Sequence, residues 1–493
     1  MSFNRRHLLI LSCLAGLLTL GGCKDGATPE LAVAAIGNSD DPFESGLRLS
    51  PAGQLARAAY AEGLVSFDGK GQVIPALADR WIVTDDGLTY IFRLRDGLWS
   101  DGTVISGDAA RDALRQALDG LSGTALGEGL GAISEVRAMT GRVVEVRLAY
   151  PMPDLLELLA QPELALMHKG RWSGPLAQKR DGRALQLRPV PPERRGLVAD
   201  EDWSDTVRSL RFTSLSANTA ISQYRDGKIA AVLGGSAADY ANALGAAGLG
   251  RGALHVDQVT GLFGLVAISN SGPLATPELR EALAMAIDRD AMAADLGIPE
   301  WSVTTRVVPA TATEAPPTIN ERWIGKDMAR RRADAAARLA KLKGKGGVGP
   351  SVRIAMPSGL GADVIFAHIS SDFAAVGVRT ERVGWGSAAD LRLLDSVARY
   401  ARTDWYFDQF ACSAGRSPCS EMADSKAVEA RAATDPAKRA ALLEDAETAL
   451  TLSNIYLPLG APVRWSLVRG DLPGFAANPR GWHPLAPLAI SRP

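Results

Sequence analysis

The chain has 493 residues, with 54 basic and 55 acidic side chains, and 46% of its residues are hydrophobic. A chain of this length is too long to fold around a single hydrophobic core, which indicates roughly three domain-sized units. A formal charge of −1 without a long basic run excludes the electrostatic footprint of a nucleic-acid-binding protein, and the ordinary composition excludes a disordered chain.

The N-terminal segment predicts export. Arg5 and Arg6 precede an apolar run over residues 8–20, which ends in Leu-Gly-Gly-Cys at Cys23. The run is too short for a stable membrane span, and it resembles a bacterial lipoprotein signal, in which cleavage leaves the cysteine to carry lipid. We therefore expect a signal peptide over residues 1–22 and a lipidated tether over residues 23–30. A buried N-terminal helix is the alternative, and the paired arginines leave a twin-arginine export route open.

The remaining cysteines predict a disulfide. After Cys13 leaves with the signal and Cys23 takes the lipid, Cys412 and Cys419 remain as a close pair in an oxidising compartment. A zinc site is the alternative, but the C-x6-C spacing is not typical of zinc ligands and no histidine lies within forty residues on either side. We expect no metal site.

The first predicted elements are a buried strand over residues 31–36 and a hairpin that begins near Trp81. Apolar residues alternate with polar ones between residues 88 and 94, which is typical of a strand. Three Asp-Gly pairs, at residues 86–87, 96–97 and 101–102, flank this strand where the chain must adopt positive φ, so we interpret them as turns. Ser106 then caps a helix.

Later segments alternate between helix and strand. Thr276 before Pro277 predicts the start of a helix that runs through residues 279–296, and Asp435 before Pro436 predicts another. Between them we expect helices over residues 326–343 and 362–376 and a strand over residues 378–383. The class is therefore mixed α/β.

Sequence motifs give no support for catalysis. Residues 344–349, GKGGVG, match G-x-G-x-x-G, but a predicted helix precedes them and a predicted strand follows, the reverse of a dinucleotide-binding loop. We interpret them as a connector. The chain has no phosphate-binding loop, no H-E-x-x-H and no G-x-S-x-G, and its histidines are scattered singly. We predict no catalytic residue and no cofactor.

A long segment carries a resemblance to a known family. Residues 74–114, IPALADRWIVTDDGLTYIFRLRDGLWSDGTVISGDAARDAL, resemble the signature of the family 5 extracellular solute-binding proteins, the peptide, nickel and oligosaccharide receptors of bacterial ABC importers. Residues 224–232, 261–292 and 435–460 resemble later parts of that family in the same order. The resemblance runs from about residue 31 to the C-terminus.

This resemblance implies a two-lobed periplasmic-binding-protein fold of the class II type, with an extra subdomain in the first lobe. We expect the first lobe over residues 31–50, 170–262 and 463–493, the subdomain over residues 51–169, and the second lobe over residues 263–462.

Together with the lipoprotein-like signal, the resemblance implies a lipid-anchored periplasmic monomer, not an enzyme. It would capture a small solute, with a short peptide favoured, and deliver it to an inner-membrane ABC permease and its ATPase subunits. A sensor or chaperone-like module on the same fold, or an exported hydrolase, is the alternative.

The family's ligand region corresponds to residues 401–419, ARTDWYFDQFACSAGRSPC, which we interpret as beginning with a strand. The resemblance implies that aromatics stack on the solute and that one aspartate meets a peptide's amino terminus; the candidates are Trp385, Asp404, Trp405, Tyr406, Asp408 and Phe410. Aromatics alternating along a strand are also typical of a core. The short loop between Cys412 and Cys419 replaces a longer segment of the peptide receptors, which leaves the substrate class open.

Overall fold

The computed structural model describes residues 30–247, 252–312, 319–342, 349–414 and 418–491. The signal peptide, Cys23 and most of the predicted connector at residues 344–349 lie outside these ranges. The described strands, in chain order, are β1 (Leu31–Ile36), β2 (Val65–Phe67), β3 (Val73–Pro75), β4 (Ala78–Val83), β5 (Thr89–Leu94), β6 (Ile133–Met139), β7 (Val143–Leu148), β8 (Leu176–Asp181), β9 (Ala184–Pro189), β10 (Leu210–Leu215), β11 (Ala231–Ser236), β12 (Leu254–Asp257), β13 (Gly261–Ala267), β14 (Ser351–Met356), β15 (Arg379–Gly384), β16 (Leu391–Val397), β17 (Tyr456–Gly460) and β18 (Arg464–Val468).

Helices cover both faces of the larger sheets. In chain order they are α1 (Pro51–Tyr60), α2 (Gly107–Leu121), α3 (Ala125–Gly129), α4 (Leu155–Leu159), α5 (Trp203–Thr206), α6 (Ala217–Arg225), α7 (Tyr240–Ala247), α8 (Pro277–Ala286), α9 (Arg289–Leu296), α10 (Met328–Leu339), α11 (Leu360–Ala375), α12 (Thr403–Asp408), α13 (Glu421–Ala432), α14 (Pro436–Ser453) and α15 (Leu485–Leu488). No helix in the described ranges is long and apolar enough to cross a bilayer.

Helix starts follow the predicted caps. The side chains of Ser106, Thr276 and Asp435 each accept a hydrogen bond from a backbone N–H in the first turn of α2, α8 and α14. The helix predicted through residues 279–296 is wrong in one respect, because it breaks into α8 and α9. Asp288 causes the break: its side chain caps α9 at Ala291, while its own N–H donates to Asp372 at 2.8 Å.

The opening hairpin forms as predicted. β4 and β5 pair antiparallel within the sheet β4-β5-β7-β6. Gly87 and Gly102 adopt positive φ, and the Asp86 and Asp101 carboxylates accept backbone N–H bonds two residues onward at 2.9 and 3.1 Å. Gly97 does not adopt positive φ, so that part of the turn prediction is wrong. These aspartates turn the chain.

Two larger sheets form the main layers. The seven-stranded sheet has the order β12-β18-β11-β1-β10-β9-β8, and the five-stranded sheet has the order β15-β14-β16-β13-β17. The chain passes between them only twice in the described ranges, from β12 to β13 over residues 257–261 and from β17 to β18 over residues 460–464. Two short crossings are typical of a hinge between rigid units. The lobe boundaries given above stay a prediction.

A glycine next to Trp465 lets β11 and β18 pair. A Cβ at Gly235 would lie 2.0 Å from the Trp465 ring, which is fully buried and donates its indole N–H to Ser236. We expect Gly235→Ala to lower the free energy of unfolding by about 2 kcal/mol, because the packed ring has no room to move. Chemical denaturation measures this. Gly245→Ala, in α7 with no atom within 4 Å of the new Cβ, is the control and should be neutral or stabilising. A harmless Gly235→Ala would contradict the close packing.

Candidate functional site

Two adjoining cavities lie where the sheets meet. One of about 380 Å³ is lined by Gly234 in β11, by Arg464 at the start of β18, by Ser396 and Arg399, and by Gln161. The second, of about 330 Å³, also contains Ser396 and Arg399 in its wall. We call these two cavities the cleft. Its wall combines the seven-stranded sheet, the five-stranded sheet and the segment over residues 51–169.

Strand direction explains why these residues converge. β11 runs parallel to β1 within the first sheet, and β16 runs parallel to β14 within the second. Two groups of cleft residues stand at the carboxyl ends of β11 and β16: Gly234 and Ser236 in β11, and Asp395 and Ser396 in β16. In open α/β sheets ligands bind outside the carboxyl ends of strands, so this is where a solute site is expected.

Ion pairs join the parts of the cleft. Arg464 Nη1 lies 2.7 Å from Asp395 Oδ1, which connects the start of β18 to the end of β16. Arg399 donates hydrogen bonds from Nη2 to Glu163 Oε1 at 2.8 Å and from Nη1 to Glu163 Oε2 at 3.0 Å. Glu163 is only 3% exposed. Arg480 Nη1 donates to the Arg399 carbonyl at 2.8 Å. Each contact joins segments far apart in sequence.

A buried histidine borders the larger cavity. His483 Nε2 lies 2.8 Å from Asp257 Oδ2, and Asp257 Oδ1 accepts the Asn478 N–H at 2.9 Å. The carboxylate therefore keeps the proton on Nε2. The ring packs against Phe475 with centroids 4.5 Å apart. The neighbouring His255 has a lowered pKa because burial disfavours its charged form.

The segment over residues 401–410 corrects the strand interpretation. It forms the short helix α12, and its aromatic side chains are buried within a large hydrophobic cluster. Tyr406 is fully buried, and the Phe410 ring packs on Tyr456 with centroids 5.3 Å apart. Trp405 is the one predicted ligand residue whose side chain also lines the cleft. Trp385 is 49% exposed and lies under the Arg392 guanidinium, outside the cleft.

Asp404 and Asp408 belong to a buried ionic cluster, which we call the Asp–Arg cluster and define as Asp404, Asp408, Arg431, Arg439 and Tyr400. Arg431 binds Asp408, Arg439 Nη2 lies 2.6 Å from Asp404 Oδ2, and the Tyr400 hydroxyl donates to Asp408 at 3.1 Å.

Burial controls the charge of this cluster. It raises the pKa of Asp408 to about 7, even though Arg431 lowers it, and it raises the pKa of Tyr400 well above its usual range. Both aspartates already have cationic partners inside the fold.

The structure joins Cys412 and Cys419 in a disulfide with Cα atoms 5.4 Å apart. The Cys412 N–H donates to Asp424 Oδ2 at 2.7 Å, which ties the loop to α13. Neither cysteine lines the cleft.

Removal of this bridge should cost little. We expect Cys412→Ser to lower the free energy of unfolding by about 1–2 kcal/mol, because closing a short loop restricts few unfolded conformations. Thermal unfolding measures this, with the reduced wild-type protein as the control. Identical melting of oxidised and reduced protein would show that no bridge forms.

Sequence reasoning missed most residues of the cleft wall. Ser396 lies at the carboxyl end of β16 and Arg399 just beyond it, so the rule that ligands bind at strand ends could have indicated them. Nothing local indicated Arg464 or His483, because their partners Asp395 and Asp257 lie 69 and 226 residues away in the sequence. No group of three or more His, Cys, Asp or Glu side chains in the described ranges is arranged to hold a metal ion.

Comparisons with known proteins agree with this geometry. Residues 72–418 match the family model described as bacterial extracellular solute-binding proteins, family 5 Middle. The probable deoxycholate-binding periplasmic protein YgiS of Escherichia coli K12 is 34% identical over 139 residues, which span 23% of this chain and 26% of that protein. The probable di/tripeptide-binding protein 5 of Pseudomonas aeruginosa is 24% identical over 87% of this chain and 89% of that protein.

A solved structure has the same fold. The crystal structure of Haemophilus influenzae OppA in complex with the peptide RPPGFSPFR superposes with a TM-score of 0.78 at 17% identity, over 94% of this chain and all of that one. The predicted two-lobed α/β fold is thereby confirmed.

Proposed function

Because the chain belongs to family 5 of the bacterial extracellular solute-binding proteins, we propose that it captures a small solute in the cleft and delivers it to an inner-membrane ABC permease. A short peptide is the favoured class of solute, since a relative that matches most of the chain is described as a di/tripeptide-binding protein. The family and fold are those of transport solute-binding proteins rather than enzymes.

One observation carries this proposal: the cleft lies between two sheets that the chain joins by two short crossings. A hinge of that kind lets one sheet and its helices rotate toward the other, which buries a solute and excludes water. The cavities of about 330 and 380 Å³ fit the lower range of small-molecule sites. The ion pairs of Arg399 and Arg464 stabilise the closed arrangement. The protein then acts as a monomer without covalent chemistry.

Ligand-dependent stability tests the proposal. Residues 24–493, produced without lipid, are unfolded thermally in the presence of pools of peptides, sugars or metal chelates. A solute that binds only the folded state stabilises it by about 2.7 kcal/mol at a hundred times its dissociation constant, which a melting curve detects. A shift with one pool supports the function and identifies the class. A well-folded protein that no pool stabilises contradicts it.

We also propose that Cys23 carries the lipid anchor that holds the protein at a membrane facing the periplasm. We expect radiolabelled palmitate to enter the wild-type protein in a bacterial host, and Cys23→Ser to abolish the label and release the protein into the soluble fraction. Cys412→Ser, which changes a cysteine far from the signal, is the matched control and should stay labelled. A label that persists in Cys23→Ser contradicts the anchor.

A further inference from the structure

The carboxylates that line the cleft are already occupied. Asp395 pairs with Arg464, and Glu163 accepts hydrogen bonds from Arg399 and from Gln54 Nε2 at 3.1 Å. The cluster aspartates beside the cleft are likewise held by arginines. Within the described part of the chain, the cleft wall therefore offers no unpaired carboxylate to a positively charged ligand group.

Donors and positive charge, in contrast, remain available. Arg48 is exposed at the smaller cavity, and the described residues give it no ion-pair partner. In the larger cavity the indole N–H of Trp482 is buried without an acceptor, and an indole nitrogen can only donate. A buried donor without an acceptor is unfavourable, so both cavities favour ligand oxygen atoms.

The balance of charges points the same way. Arg399, Arg464 and Arg480 are each neutralised by one acid, the last by Glu157 at 3.0 Å. Arg48 then leaves the cleft with one uncompensated positive charge. Closure removes water and strengthens every remaining interaction, so a cationic solute would add a second unpaired charge while an anionic one would neutralise the first.

We infer that the solute is a short peptide with a net negative charge, whose carboxylate oxygens meet Arg48 at one end of the cleft and the Trp482 N–H at the other. This inference rests on the proposed function, because it assigns the ligand chemistry of the same cleft. The carboxylates that pair with Arg399 and Arg464 hold the cleft closed. They do not bind the charged groups of the ligand.

Three tripeptides of equal length test the inference: Ala-Glu-Ala, Ala-Ala-Ala and Ala-Lys-Ala. Titration calorimetry on residues 24–493 should give an affinity for Ala-Glu-Ala about tenfold above that for Ala-Ala-Ala, with Ala-Lys-Ala the weakest. The preference should shrink as salt is added, because exposed Arg48 is screened.

Two variants locate the effect. Arg48→Gln should reduce the preference for Ala-Glu-Ala to about twofold or less, and Trp482→Phe, which keeps the ring and removes the N–H, should weaken all acidic peptides severalfold. Arg330→Gln, which removes an exposed arginine outside the cleft, is the control and should leave the preference unchanged.

The outcomes separate this inference from the proposed function. Equal or tighter binding of Ala-Ala-Ala or Ala-Lys-Ala overturns the inference, while the solute-binding function stands. An unchanged preference in Arg48→Gln also overturns it. If no tripeptide binds but a sugar or metal chelate does, the inference is wrong and the function stands. If nothing binds to the folded protein, both fail.

Discussion

Arg431→Met should lower the free energy of unfolding by about 3–5 kcal/mol at pH 8, because it leaves the buried carboxylate of Asp408 without its cation. Asp408 is 1% exposed, so water cannot replace the guanidinium. Chemical denaturation at pH 8 and at pH 5 measures the effect. The loss should be smaller at pH 5, where the carboxyl group is protonated and needs no countercharge.

The sign of this pH dependence follows from the raised pKa of Asp408. Burial raises that pKa from 3.8 to about 7, so the folded protein holds a proton that the unfolded chain has already released. The group's contribution to stability is complete below about pH 4 and disappears as the pH rises through 7, with a slope of at most about 1.4 kcal/mol per pH unit. Without Arg431 the pKa rises further, and the loss continues above pH 7.

A double variant provides the control. Asp408→Asn in the Arg431→Met background removes the unpaired charge and should restore at least half of the lost stability at pH 8. It should also remove most of the difference between pH 5 and pH 8. A single variant as stable at pH 8 as the wild-type protein would show that Asp408 is not held by Arg431.

Arg399→Met should lower the free energy of unfolding by about 3 kcal/mol and also favour an open cleft. Arg399 is the principal cation of the buried Glu163 carboxylate, and it joins the segment after β16 to residues 161–163. Denaturation measures the stability. Small-angle scattering of the ligand-free protein measures the opening as a larger radius of gyration.

A surface pair serves as the comparison for this variant. Arg353, in β14 of the five-stranded sheet, lies 3.6 Å from Asp390 with about half of its side chain exposed. Arg353→Met should therefore cost less than about 1 kcal/mol and leave the scattering unchanged. Addition of Glu163→Gln to Arg399→Met should recover most of the stability but not the closed shape. Equal effects of Arg399→Met and Arg353→Met would contradict the bridging role.

Local signals in the sequence predicted local structure well. The turn and cap residues act through hydrogen bonds to groups only a few residues away, so their roles can be predicted without knowledge of the fold. They are Asp86 with Gly87, Ser106 and Thr276. The errors arise where contacts between residues distant in sequence determine the local structure. Trp405 and Tyr406 favour strands intrinsically, yet they lie in α12, because burial on all sides overrides this preference.

The cleft was the least predictable part. Arg399 pairs with Glu163, and Arg464 pairs with Asp395, although more than sixty residues separate the members of each pair in the sequence. In the sequence alone, each of these residues looks like an ordinary surface charge. The family resemblance directed attention to Asp404 and Asp408, whose carboxylates are instead held inside the fold. Only the three-dimensional pairing of acids with arginines distinguishes occupied charges from available ones.

The position of β18 sets an order on assembly. This strand lies between β12 and β11. Ala231 of β11 pairs with Val468, and Leu254 of β12 pairs with Leu467, so the first sheet cannot be completed before β18 has been synthesised. At a synthesis rate of about 5–20 residues per second, the edge of β11 stays unpaired for roughly 10–50 seconds. A nascent chain therefore cannot lock its first sheet until it is almost complete.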